Sequence, residues 1–198
     1  MNLPNKLTIS RLVMAPLFFI VFFLPVWFGK SLNSVSAILL LVLYVCTELS
    51  DLLDGIIARK RNLVTDLGKV MDPFADTLSR LTYFVCLLGV QVMPLWAFVI
   101  IMWREFSIVF LRMLMMGTGK AVAANIWGKT KAVMYAVSGL GGIVYVSVAR
   151  LMEDHDWMIW AEPILLVLFA LSALASLASF ITYMHSIFKS GALSHMTR

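Results

Sequence analysis

Six of the eleven acidic residues in this 198-residue chain fall between Glu48 and Asp76, and four of them recur at helical intervals. On a helix turning about 100° per residue, Asp51, Asp54, Gly55 and Ala58 share roughly one third of the circumference. Further on, Gly68, Asp72 and Asp76 stand at i, i+4 and i+8 and form a second stripe. The connection from Arg61 to Leu67 contains Asn62, Thr65 and Asp66 and predicts a turn. A turn that short would make the two helices antiparallel neighbours, so that four carboxylates converge on one point.

Convergent carboxylates repel one another and take up protons unless a cation neutralises them. No His or Cys accompanies them, and a set of hard oxygen ligands points to Mg²⁺ or Mn²⁺, with room for two ions about 3.5–4 Å apart. Such ions would clamp a pyrophosphate and stabilise the charge that develops when a phosphoryl group is displaced. Gly55 and Gly68 let a bulky ligand or a facing helix come close, Ala58 keeps that face small, and Arg59 supplies a fork for phosphate. The same acids would also suit a cation or proton pathway, or plain ion pairs with neighbouring Lys and Arg. A pathway spreads its charges through the membrane depth, whereas these acids gather at one face. Metal-dependent phosphoryl chemistry therefore leads, with transport and a structural role beside it.

The elements that must hold these residues are apolar. The chain is 61% hydrophobic and 14% charged, and uncharged runs occupy 12–29, 31–47, 81–103, 132–149 and 163–188. At about 1.5 Å per residue each run can cross a hydrocarbon core of roughly 30 Å. No alternation of the kind a closed barrel needs is present. A turn between Gly89 and Pro94 divides the longest apolar region and adds a helix in which Arg104, Glu105 and Arg112 interrupt the pattern. The expectation is an all-α integral membrane protein of six transmembrane helices at about 12–28, 32–60, 68–88, 94–116, 125–149 and 158–188. Residues 1–11, MNLPNKLTISR, set Leu3, Leu7 and Ile9 against Lys6 and Arg11 and predict a short amphipathic helix in the interface. Residues 12–198 then form a single domain, without linkers or repeats. No small-residue cleavage site follows the first span, where residues 24–30 are LPVWFGK, so that span is retained.

Lys and Arg set the orientation. With the N-terminus inside, the inner side holds Lys6, Arg11, Arg59, Lys60, Arg61, Lys69, Lys120, Lys129, Lys131, Lys189 and Arg198, and the outer side only Lys30 and Arg150. A net charge of +5 implies attraction to an anionic lipid membrane, and with no soluble basic domain nucleic acid is not an expected partner. Trp27, Trp96, Trp157 and Trp160 suit the outer interfacial belt, and the stretches Ser138 to Gly142 and Ser172 to Ser179 suit close helix contact. Cys46 and Cys86 are expected as reduced apolar fillers, and His155, His185 and His195 have no metal-ligand spacing.

As a pattern, Asp51-x2-Asp54-Gly55-x2-Ala58-Arg59-x8-Gly68-x3-Asp72-x3-Asp76 resembles the signature of the CDP-alcohol phosphotransferases, also called CDP-alcohol phosphatidyltransferases, with every fixed position filled. The segments LPNKLTISRLVMAP, REFSIVFLR and WGKTKA also resemble bacterial phosphatidylglycerophosphate synthases, so the likeness covers most of the chain. The resemblance implies transfer of a phosphatidyl group from CDP-diacylglycerol to glycerol 3-phosphate, with release of CMP. It places the CDP part of the donor against Asp51, Gly55, Ala58, Arg59 and Gly68, and the metal ions on Asp51, Asp54, Asp72 and Asp76. Asp76 is also the position of the general base. A homodimer is implied, in a bacterial-type inner membrane with the active site and both termini cytoplasmic. Candidates for holding the acceptor's phosphate are Arg104 and Arg112, which lie within about 80° of each other on one helix, together with Lys129, Lys131 and Arg80. Another acceptor (inositol phosphate or inositol), or a CDP-amino alcohol used with diacylglycerol, is the alternative within the family; a divalent cation carrier is the remote one. One position departs from the pattern: Asp76 is followed by Thr77-Leu78-Ser79-Arg80, where the synthases continue with Lys, and Arg80 is the cation placed to compensate.

Overall fold

The computed structural model describes residues 3–60, 66–116, 126–152 and 156–190, and among them every regular element is helical. Helix α1 spans Leu3–Phe28, with Pro4 in its first turn, where a missing N–H costs nothing. It ends at Gly29, whose φ of 106° belongs to the region that glycine tolerates best. A 3₁₀ turn at Lys30–Leu32 leads into α2, Asn33–Lys60. Helix α3 runs Asp66–Gly89 and α4 Leu95–Met116. Between these two, the N–H groups of Gln91 and Val92 donate back to the carbonyls of Leu88 and Leu87, both at 2.9 Å, closing the expected turn before Pro94. Helices α5, Ile126–Leu151, and α6, Met158–Ser190, complete the bundle. Apart from the start of α1, nine residues earlier than expected, the helices agree with the six spans expected from the sequence to within a few residues at each end.

Two features of the packing differ from expectation. Residues from Leu3 onward do not form a separate interfacial helix; they are the first turns of α1, continuous with the first span because nothing between Thr8 and Ala15 breaks the helix. Their buried face is polar rather than apolar: Asn5, Thr8 and Arg11 are buried while Ile9 is exposed. Secondly, the backbones of α2 and α3 come close at few points among the described residues. Helix α1 packs along both, and side chains bridge the gap between them, the rings of Tyr44 and Tyr83 lying 5.2 Å apart. The turn at 61–65 that would join them lies outside the described residues.

Four helices, Pro4–Phe28, Lys30–Ile57, Ile126–Leu151 and Met158–Lys189, are long and apolar enough to cross a membrane. Helices α3 and α4 are long enough, but Asp72, Asp76 and Arg80 on the one and Arg104, Glu105 and Arg112 on the other exclude them on composition. The bundle is apolar outside as well as inside. Val13, Leu17 and Ile20 on α1, Val35, Ile38 and Val42 on α2, and Ile164, Val167 and Leu171 on α6 are all exposed, the pattern of helices that face lipid. Within, Phe18, Phe22, Tyr83, Phe84, Leu87, Tyr135, Ile143 and Phe169 form one cluster, with Phe84 edge-on to both Tyr135 and Phe169. The far ends of α1, α2 and α5 are tied by Arg150, which donates to Ser36 Oγ at 2.7 Å and to the Phe22 carbonyl at 2.8 Å.

The small-residue stretch of α5 does permit the close contact expected of it. A Cβ at Gly142 would stand 2.5 Å from Leu87 Cδ1, so α5 closes on α3 through the missing side chain, and Leu87 is itself fully buried. Gly142→Val should therefore lower the thermal midpoint in detergent, by an amount equivalent to about 1–3 kcal/mol, the usual cost of overfilling a packed core. A midpoint equal to that of the wild type would show that the α3–α5 contact yields without cost.

Candidate active site

The carboxylates of the signature reach one end of the bundle from two helices. Asp51 and Asp54 stand near the C-terminal end of α2, and Asp72 and Asp76 in the first half of α3, where α1 begins. What joins them is Arg11. Its Nη1 donates to Asp51 Oδ1, its Nη2 donates to Asp54 Oδ2 at 2.5 Å, and the same Nη2 lies 4.0 Å from Asp72 Oδ1. Thr8, one turn earlier on α1, donates its hydroxyl to Asp72 Oδ1 at 2.5 Å. Arg11 is 1% exposed and Asp54 5%, whereas the side chains of Asp51 and Asp72 remain 39% and 46% open. One wall of the cluster is therefore sealed and the other faces outward.

Asp76 is held separately. Arg80, one turn further along α3, donates Nε to Asp76 Oδ1 at 2.9 Å, the compensation expected of it. The charges of Asp51, Lys131 and Glu105 also act on Asp76, so the two halves of the site share one electrostatic neighbourhood. Gly68 is buried one turn before Asp72, and Gly55 follows Asp54 on α2. Ala58 and Arg59 lie on α2, but their side chains are outside the described ones.

A second polar cluster lies beside Asp76, assembled from four helices. Glu105 on α4 is 3% exposed; its Oε1 accepts from Lys131 Nζ on α5 at 2.7 Å and from Arg104 Nη1 at 2.8 Å. Its Oε2 accepts from Thr77 on α3 at 3.3 Å, and Arg104 Nη2 donates to Ser179 on α6 at 2.8 Å. Arg104 and Lys131 are 7% and 6% exposed, so both candidates for the acceptor's phosphate are buried and already paired. Arg112 and Lys129, at the end of α4 and the start of α5, are exposed instead. The residue that stands where the synthases carry Lys, Thr77, is thus tied to the network through a hydrogen bond to Glu105.

The donor set suits a hard divalent cation: it is anionic, all oxygen, and already gathered around one positive charge. Among the described residues, no three His, Cys, Asp or Glu side chains close on a single point as metal ligands do. Asp51, Asp54 and Asp72 are spread around a guanidinium, which is wider than an ion.

Sequence reasoning misses two residues here and half-sees a third. Arg11 reads as one of the basic residues of the inner surface, Thr8 carries no assignment, and Glu105 interrupts the span as an anion with which Arg104 could pair in place of a phosphate. The available signal for the first two was the spacing of Asn5, Thr8 and Arg11, three apart on one face of an otherwise apolar helix. For Glu105 it was the adjacency of a carboxylate to Arg104 in mid-span, since charge inside an apolar helix needs a partner.

Fold and site together define an integral membrane protein with a polyanionic, cation-holding centre at one end of a helical bundle. Residues 1–168 match the profile of the CDP-alcohol phosphatidyltransferase family, and the chain belongs to that family. Its relatives include the CDP-diacylglycerol–glycerol-3-phosphate 3-phosphatidyltransferase of Bacillus subtilis, 38% identical over 70% of this chain and 76% of the relative. Proteins of the same name from Treponema pallidum, 32% identical over 95% of this chain and 90% of the relative, and Rickettsia felis, 33% identical over 74% and 82%, are also similar.

A buried carboxylate flanked by two cations sets an order of costs. Glu105→Leu leaves Arg104 and Lys131 buried without their counter-charge and should cost about 3–5 kcal/mol. Lys131→Met leaves the Arg104–Glu105 pair intact and should cost clearly less. Thermal unfolding of the two variants tests this, and the reverse order would mean that Glu105 is not what neutralises the cluster.

Proposed function

We propose that this chain transfers the phosphatidyl group of CDP-diacylglycerol to sn-glycerol 3-phosphate, giving phosphatidylglycerophosphate and CMP. The observation that carries the reading is the meeting of Asp51 and Asp54 with Asp72 around one positive charge, in a chain whose relatives bear the name of that activity. In the same reading the six helices all cross the membrane, α3 and α4 hiding their charge in the pairs described above. The site then opens at the cytoplasmic face of a bacterial inner membrane, and the chain works as a homodimer.

Asp51, Asp54, Asp72 and Asp76 would hold Mg²⁺ or Mn²⁺, which when bound offsets the negative charge of the diphosphate and of the departing nucleotide. Gly55, Ala58 and Gly68 keep the wall beside the carboxylates free of bulk, so that the CDP part of the donor can lie against it, and Arg59 is the fork for its phosphates. Asp76, held by Arg80, takes the proton from the acceptor's hydroxyl. That oxygen forms a bond to the phosphorus carrying the diacylglycerol, the bond from that phosphorus to the bridging oxygen breaks, and CMP departs with the electron pair. With Arg104 and Lys131 committed to Glu105, the exposed Arg112 and Lys129 are the cations for the acceptor's phosphate.

The test is CMP release by the purified protein in detergent, with CDP-diacylglycerol and Mg²⁺ or Mn²⁺, against glycerol 3-phosphate, inositol 1-phosphate, inositol, serine and glycerol. CDP-choline with diacylglycerol runs in parallel. Turnover with glycerol 3-phosphate alone supports the proposal; turnover only with another acceptor keeps the chemistry and moves the substrate. Metal uptake without CMP release from any pair would instead favour a carrier. Asp76→Asn should leave the thermal midpoint near that of the wild type and lower kcat by about 10²–10⁴; wild-type turnover in that variant would remove the general-base role. Arg112→Ala should raise the KM for glycerol 3-phosphate more than that for CDP-diacylglycerol, and equal effects on both would make Arg112 structural.

A further inference from the structure

We infer that Arg11 is the resident counter-cation of the carboxylate centre, and that a divalent ion loads by exchange with its guanidinium. The inference rests on the reading of Asp51, Asp54 and Asp72 as ion ligands. Three observations carry it. Arg11 is 1% exposed, on the buried polar face that Asn5 and Thr8 begin, so its charge depends on these carboxylates. Its two terminal nitrogens meet Asp51 and Asp54 and approach Asp72, three of the four signature carboxylates, which come from two helices whose backbones come close at few points. Its Nε, also buried, has no hydrogen-bond partner among the described residues. Arg104 Nε is unpartnered too, but the outer nitrogens of Arg104 end on one carboxylate and a serine hydroxyl, whereas those of Arg11 end on the groups that an ion would claim.

A divalent ion ligated by Asp51 and Asp54 and a guanidinium donating to the same oxygens compete for the same lone pairs and repel each other. Both cannot hold those positions. In the ion-free protein Arg11 supplies the positive charge that keeps α2 and α3 in register across α1. As an ion loads, the guanidinium gives up Asp51 and Asp54. Thr8 keeps its bond to Asp72, so α1 need not leave its seat. Loading by exchange weakens the apparent affinity for the ion, because the ion must match what the arginine already contributes.

The test uses the full chain in detergent micelles with Mn²⁺ alone as probe, the free ion being read from its paramagnetic resonance signal. Wild type, Arg11→Gln, Arg11→Lys and Asp54→Asn are compared, and thermal midpoints are taken in EDTA and in Mn²⁺. Arg11→Gln should bind Mn²⁺ about tenfold more tightly than the wild type, since the competitor is gone. Its midpoint in EDTA should fall, and Mn²⁺ should raise it by more than in the wild type. Arg11→Lys, a point charge that cannot span two carboxylates, keeps a cation and the fold and should bind Mn²⁺ severalfold more tightly than the wild type; it carries the comparison if the glutamine variant does not fold. Binding to both arginine variants that equals or falls below that of the wild type, while Asp54→Asn loses Mn²⁺, overturns the exchange and leaves the ligand reading intact. No Mn²⁺ binding by the wild type overturns the ligand reading, and the exchange with it.

Discussion

A guanidinium withdrawn from water must be surrounded by negative charge, and four carboxylates placed within reach of one another must be given positive charge. In this chain each requirement meets the other. Arg11 is sealed on the inner face of α1, and among the described residues the anions in contact with it are those of the signature. Removing one partner of such a buried pair costs about 3–5 kcal/mol, a large part of the stability of a small domain. Helix α1 is therefore fixed between α2 and α3 by charge as much as by the apolar packing of Phe18 and Phe22 further along it. The two halves of the signature are held in register through a third helix.

The second cluster does for α3, α4, α5 and α6 what Arg11 does for α1, α2 and α3. Glu105 takes bonds from Lys131, Arg104 and Thr77, and Arg104 continues to Ser179. Helix α3 belongs to both clusters, and its residues Asp72, Asp76, Thr77 and Arg80 run from one into the other. Any movement of Asp76 relative to its surroundings therefore disturbs ion pairs on both sides. The position of this stretch of α3 is thus over-determined by two independent sets of bonds.

Much of this was legible in the sequence, for reasons that can be stated residue by residue. Helix bounds followed from charge-free runs, since a backbone in hydrocarbon has only one way to satisfy itself locally. The turn before Pro94 followed from its glycine and proline. The carboxylate stripes followed from helical spacing. What failed was the step from chain neighbours to spatial neighbours. The short connection after Arg61 suggested that α2 and α3 pack together, yet α1 packs along both, and nothing in the spacing of the acids could reveal a guanidinium arriving from forty residues away. The pairing of Arg104 and Lys131 was only half legible for a related reason. A cation in an apolar helix declares that it needs an anion, but not whether that anion is a substrate's phosphate or a neighbour's carboxylate; Glu105, beside Arg104 in the chain, was the answer.

Charge balance connects these particulars to the chemistry. The four signature carboxylates and Glu48 share two guanidiniums, Arg11 and Arg80, so that among these residues negative charge is in excess. Beside it, Arg104 and Lys131 against Glu105 leave one positive charge in excess. The negative excess on the first side is what a cation would offset, and the positive excess on the second lies beside Asp76. A lysine at position 77 would add a further cation next to Asp76. With threonine there, the neutral hydroxyl satisfies Glu105 without adding charge, and Arg80 is the cation that pairs with Asp76 among the described residues. The departure from the synthase pattern thus leaves the carboxylate centre more negative, and shifts the work of neutralising it onto Arg80, Arg11 and whatever cation enters from outside.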